Sequence, residues 1–193
     1  MRAICMAGFI VWCAAGAVVD RIAVVVGKTV ITESEVLEEV RVTEFLNGQP
    51  LDLGPQQRRA AAERIVDQEL IRNEMRIGHY QQPAAAEVDR MLDRAGQDHA
   101  AGGGLGEALA KYGLTGEQLK RHLEWQVAVM RFTEQRFGAG LPQPSAASEN
   151  GANRLAPGTD TSPAEDAVEQ RMEAWLKQVR SETRVQFKEE AFQ

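Results

Sequence analysis

The apolar residues of this chain fall into two spacings: short β-branched runs near its start, and helical repeats over most of the rest. Residues 22–26 are a β-branched run, Gly27 and Lys28 suit a turn, and Thr29 opens a second run through Ile31, so a small hairpin is predicted. Thr32 and Glu35 have the T-x-x-E spacing of a capping box, in which each side chain satisfies an otherwise orphan backbone N–H, so a helix is predicted from Glu33. Val36, Leu37, Val40 and Phe45 continue it at helical spacing to about Leu46, where Gly48, Pro50, Gly54 and Pro55 break the pattern.

Pro55 suits the first turn of a second helix, because its missing N–H is not needed there. Ala62, Ile65, Val66, Leu70 and Ile77 share one face of it, and Arg58, Arg59, Glu63, Arg64, Asp67 and Arg72 lie largely elsewhere. Gly78 is a natural stop. Pro83 begins a more polar helix whose Val88, Met91, Leu92 and Ala95 form a narrow stripe, which places it on the surface. Residues 99–106 are too rich in glycine for a regular element, while residues 105–112 form a short helix ended by Gly113. Thr115 and Gln118 repeat the capping box and start a long helix over residues 116–137.

That long helix carries two stripes. Leu119, Leu123, Val127 and Met130 group on one side, and Trp125, Val129 and Phe132 group well round from them. A helix that is apolar on two sides is covered on both, so it is expected to be central, with the first stripe on the core and the second under some other element. Residues 138–163 change character to Pro, Gly, Ser, Ala and Asn, too polar to offset the entropy of ordering, and read as a flexible linker. Beyond it Val168, Met172, Trp175, Leu176 and Val179 mark an amphipathic helix, and Val185 and Phe187 alternate as in a half-buried strand. A lone strand needs a partner, and the early hairpin is the sheet available to it. The expected fold is therefore mainly α with a small β-sheet. It is one body built from residues 18–137 and 164–190, the N-terminal hairpin pairing with the C-terminal strand.

The first residues add a location. Arg2, an apolar stretch from about Ile4 to Cys13, and Ala15-Gly16-Ala17 follow the plan of a secretory signal, with cleavage expected after Ala17. The apolar stretch is shorter than the roughly 20 residues that span a bilayer. Trp12 stands where a lipoprotein signal wants a small residue. The expected location is the periplasm. Both cysteines, Cys5 and Cys13, fall in that leader, which excludes disulfide and zinc-thiolate chemistry from the mature chain. Without Arg2 the 22 basic residues become 21 against 28 acidic ones, 21 − 28 = −7, which argues against a nucleic-acid partner. Aromatics are only 6% of the chain, so the core is expected to be mainly aliphatic.

The arrangement resembles the SurA family of bacterial periplasmic chaperones. The matching residues are VVDRIAVVVGKTVITESEV at 18–36, RAAAERIVDQELIRNEMRIG at 59–78 and LTGEQLKRHLEWQV at 114–127. EAWLKQVRSETRVQFK at 173–188 looks like the family's C-terminal segment. The resemblance implies that this segment completes the N-terminal chaperone domain, in agreement with the pairing expected for the orphan strand. Family members commonly carry one or two parvulin-type prolyl isomerase domains between the two parts, where this chain has only residues 138–163. What the resemblance implies is a chaperone core without its isomerase domains, and no enzyme.

Candidate chemistry in the residues is sparse. His79, His99 and His122 show no metal-ligand spacing, no serine sits in a G-x-S-x-G elbow, and Gly102-Gly103-Gly104 lacks the strand and the G-K-[ST] of a phosphate loop. Glu33, Glu35, Glu38 and Glu39 crowd a helix start, where the macrodipole stabilises negative charge. No catalytic residue, metal or cofactor is expected. The sharpest candidate is the second stripe, Trp125, Val129 and Phe132. It is either buried against the C-terminal helix, near Trp175 or Met172, or open as a groove for extended client segments, with Met75, Met91 and Met130 as adaptable lining. The expected partners are unfolded or partly folded exported polypeptides, including outer-membrane proteins, with no stable membrane insertion. Three further readings stay open: a prolyl isomerase remnant or subunit, a scaffold for one dedicated partner, and a homodimer made by exchanging C-terminal helices.

Overall fold

The computed structural model describes residues 20–78, 80, 82–99, 103–139 and 163–193. The leader expected at residues 1–17, and all of the expected linker except its ends, lie outside the described residues. The chain forms β1 (Ile22–Val26), β2 (Thr29–Thr32), α1 (Glu33–Leu46), α2 (Pro55–Ile77), α3 (Ala85–Asp98), α4 (Leu105–Lys111), α5 (Gly116–Phe137), α6 (Pro163–Glu182) and β3 (Val185–Phe187), with a final 3-10 turn at Glu189–Phe192. It is mainly α with a small three-stranded sheet.

The two ends of the chain meet in that sheet, whose order is β2-β1-β3 and whose pairs are antiparallel. Gly27 makes the hairpin turn at φ 58°, where a residue with a Cβ would be strained, and its N–H donates to the Arg184 carbonyl at 2.9 Å. Val24 lies opposite both Ile31 and Phe187, and Val26 opposite Thr29 and Val185. A register shift between Ile22 and Val24 leaves Ala23 as an extra residue. Ala23 and Val24 are therefore both buried, and the Ala23 carbonyl accepts the Lys188 N–H at 2.8 Å.

Both predicted capping boxes form. Thr32 and Glu35 exchange bonds at the start of α1, and Thr115 and Gln118 do the same at the start of α5. Pro55 sits in the first turn of α2 behind Gly54.

Three apolar clusters hold the helices. The first joins Val24, Val26 and Ile31 of the sheet to Val36 and Val40 of α1 and to Ala62, Val66 and Leu70 of α2, with Leu176 and Val179 of α6 against its edge. The second gathers Val42, Phe45, Val88, Leu109, Leu114, Leu119 and Leu123, so α3 and α4 cover the first half of α5. The third surrounds Ile71, Phe132 and Phe137. Only Val88 of α3 is fully buried, as expected of a surface helix with a narrow stripe.

Some expected core positions move. Ile77 is 83% exposed, because beyond Leu70 the covered face of α2 shifts round to Ile71 and Met75 in the third cluster. Met130, placed by spacing with Leu119 and Leu123, is 41% exposed, because the cluster over that stripe ends before it. In α1 Val42 is buried and Leu37 only half-buried. The last residues also go further into the core than expected. Ala191 and Phe192 are buried in the first cluster, and Arg58 donates to the Ala191 and Gln193 carbonyls at 3.1 and 2.8 Å.

Candidate functional site

The second stripe of α5 lies under α6. Phe132 is fully buried, its ring 4.9 Å from Tyr80, 5.9 Å from Phe137 and 5.6 Å from Trp175. Polar contacts secure the crossing: the Thr133 hydroxyl donates to the Met172 sulfur at 3.2 Å, and Arg171 donates to the Phe137 carbonyl at 2.8 Å. Met75, Trp125, Val129 and Trp175 pack as half-buried side chains round this cluster, so the whole second stripe comes together with Met75 and with Trp175 of α6. Met130 stands apart on the exposed side. Met91 belongs to the second cluster, away from all of them.

Trp125 also faces a cleft. Where α1, α2 and α5 converge, a space of about 320 Å³ opens between Glu35, Glu38 and Glu39 of α1, Gln68 and Arg72 of α2, and Gln118, Arg121, His122 and Trp125 of α5. The Arg72 guanidinium sits over the Trp125 ring, 4.5 Å from its centroid. Glu38 takes bonds from Gln118 at 2.7 Å and Arg121 at 3.1 Å.

Glu39 is only 9% exposed. Its Oε1 accepts from Arg64 and Gln68, each at 3.3 Å, and from Thr43 at 3.5 Å. Among the described residues its Oε2 meets only His122 Nδ1, at 3.9 Å. His122 Nε2 lies 3.2 Å from the side-chain amide of Gln126. Burial pushes the His122 pKa down, the Glu39 carboxylate pulls the other way, and Arg64 adds to the depression.

The sequence left this cleft unnoticed, although a signal was there. Glu39 falls between Val36 and Val40 on the spacing that marks the buried face of α1, so it occupies a core position rather than a solvated one. Glu69 of α2 is buried in the same way between Val66 and Leu70, and holds Thr29 at 3.0 Å.

The sheet supplies a third surface. Val25 and Val30 are directly opposed on the face away from the helices, and Ile22 and Val30 are exposed. Among the described residues β2 has no strand on its outer side.

No family model and no curated protein matches this chain. Among the described residues no group of three or more His, Cys, Asp or Glu side chains could hold a metal ion, and no helix is long and apolar enough to cross a membrane.

Proposed function

We propose that this protein is a holdase-type chaperone for unfolded or partly folded exported polypeptides, outer-membrane proteins among them, acting in the periplasm without covalent chemistry. The observation that carries this reading is β2, an outer strand with no neighbouring strand on one side among the described residues and with Val30, 44% exposed, turned outward beside Val25. Proteins guard such edges with charge, proline or cover, and an extended client can add to one through main-chain hydrogen bonds. The closure of the body by α6 and β3 also supports it, since this is the arrangement that the resemblance to the SurA family implies. Phe132, enclosed beneath Trp175, would contact a client only after α6 moves aside.

The test is dilution of a denatured outer-membrane β-barrel protein with and without the chain, followed by light scattering. Suppression of aggregation is expected, and Val30→Lys is expected to weaken it while leaving the far-UV spectrum and, within about 0.5 kcal/mol, the stability unchanged. A client that aggregates equally in the presence of the chain would overturn the proposal. A parallel assay on a proline-containing peptide is expected to show no rate above the uncatalysed one; acceleration would favour the isomerase reading.

A further inference from the structure

The cleft between α1, α2 and α5 carries more chemistry than a helix junction needs. We infer that it is a binding site for one basic side chain, arginine above all, of an extended polypeptide. The inference deepens the holdase reading, and rests on it, by naming one residue type the client offers. Three observations support it.

The first is size. About 320 Å³ lies at the small end of ligand pockets, enough for one long side chain and too little for a folded segment. The second is the buried Glu39 carboxylate, which divides its work unevenly. Three donors converge on Oε1, whereas Oε2, on the same cleft, has among the described residues no donor within hydrogen-bonding distance and only His122 at 3.9 Å. Oε2 opens onto the cleft, so an N–H entering there gains a charge-assisted bond to it.

The third is Arg72. Its guanidinium rests over Trp125 at the cleft wall, held by Gln68 at 3.4 Å and by Glu69 at 3.8 Å. The site is therefore shaped and charged for a planar cation, and the chain places one of its own there. Arg72 is also replaceable. Its side chain is 44% exposed, and Arg76 reaches the same Glu69 at 4.0 Å, so an outward swing of Arg72 leaves the Glu69 carboxylate paired. An incoming guanidinium would take the ring face that Arg72 leaves and reach Glu39 Oε2 beyond it. Arginine is preferred to lysine because its flat fork can stack and donate at once.

The test is an amide NMR titration of the full chain with a capped alanyl-arginyl-alanine peptide, and with the same peptide carrying citrulline, which keeps the shape and removes the charge. Saturable shifts at the indole N–H of Trp125 are expected with the arginine peptide, and binding about tenfold weaker with citrulline. Glu39→Gln is expected to weaken arginine binding by a similar factor. Arg72→Ala is expected to strengthen it about threefold, because the internal competitor is gone. Equal titration by the two peptides, absence of saturation, or weaker binding in Arg72→Ala would overturn the inference. The citrulline comparison uses the unaltered chain and so does not depend on a variant folding. Failure here with aggregation still suppressed would leave the holdase reading standing, and arginine binding without suppression would do the reverse.

Discussion

Burial holds His122 in its neutral form, and the stability of the fold inherits the consequence. Its pKa in the folded chain is below the ordinary 6.5, so between the two values the unfolded chain binds more protons. The contribution of His122 is complete above about pH 6.5 and is lost as pH falls toward its folded value. Urea midpoints are expected to drop between about pH 7.5 and pH 5, and His122→Gln is expected to flatten that slope. The hydroxyl of Thr115 acts more locally. It accepts the Gln118 N–H at 3.3 Å, and Thr115→Ala is expected to cost about 1 kcal/mol in urea unfolding. The two residues differ in legibility for a physical reason. A capping box is a contact between positions three apart and can be read from the chain. The surroundings of His122 come from α1 and α2, far away in sequence, so no local spacing reports them.

At the scale of the element, α5 shows what periodicity reaches. Its two stripes put apolar residues on two sides, and both sides find cover over part of its length, α3 and α4 on one and α6 on the other. Where each cover stops is not written in α5 itself, which is why Met130 shares a spacing with Leu119 and still faces solvent. Phe132→Ala is expected to cost about 3–5 kcal/mol, since the ring is enclosed by aromatic neighbours that cannot close the gap. Trp125→Ala is expected to cost only about 1–2 kcal/mol, because that side chain is half-buried and borders the cleft. Thermal unfolding of the two variants side by side checks the order.

For the whole molecule, the decisive link is the return of the tail. β3 pairs with β1, α6 covers Phe132, Arg180 reaches Asp67 at 3.5 Å, and Phe192 enters the first cluster. A chain ending at Phe137 would expose Val26 and Phe132 together and strip one edge of β1. It is expected to lose cooperative thermal unfolding, measured by far-UV circular dichroism. Unchanged cooperativity would mean that the tail is an appendage rather than part of the core.

The order and kind of the elements were set by the sequence alone, because caps, glycine turns and apolar periods act over a few residues. The pairing of the last strand with the hairpin was legible too, by need: Val185 and Phe187 required a sheet, and one hairpin existed to provide it. Tertiary structure alone decided which side of each helix stayed covered to its end, that α6 closes over the Trp125 and Phe132 stripe, and that Glu39, His122 and Arg72 meet in one cleft. These depend on where separate helices start, stop and cross, and a pattern read along one helix holds no record of its neighbour's length.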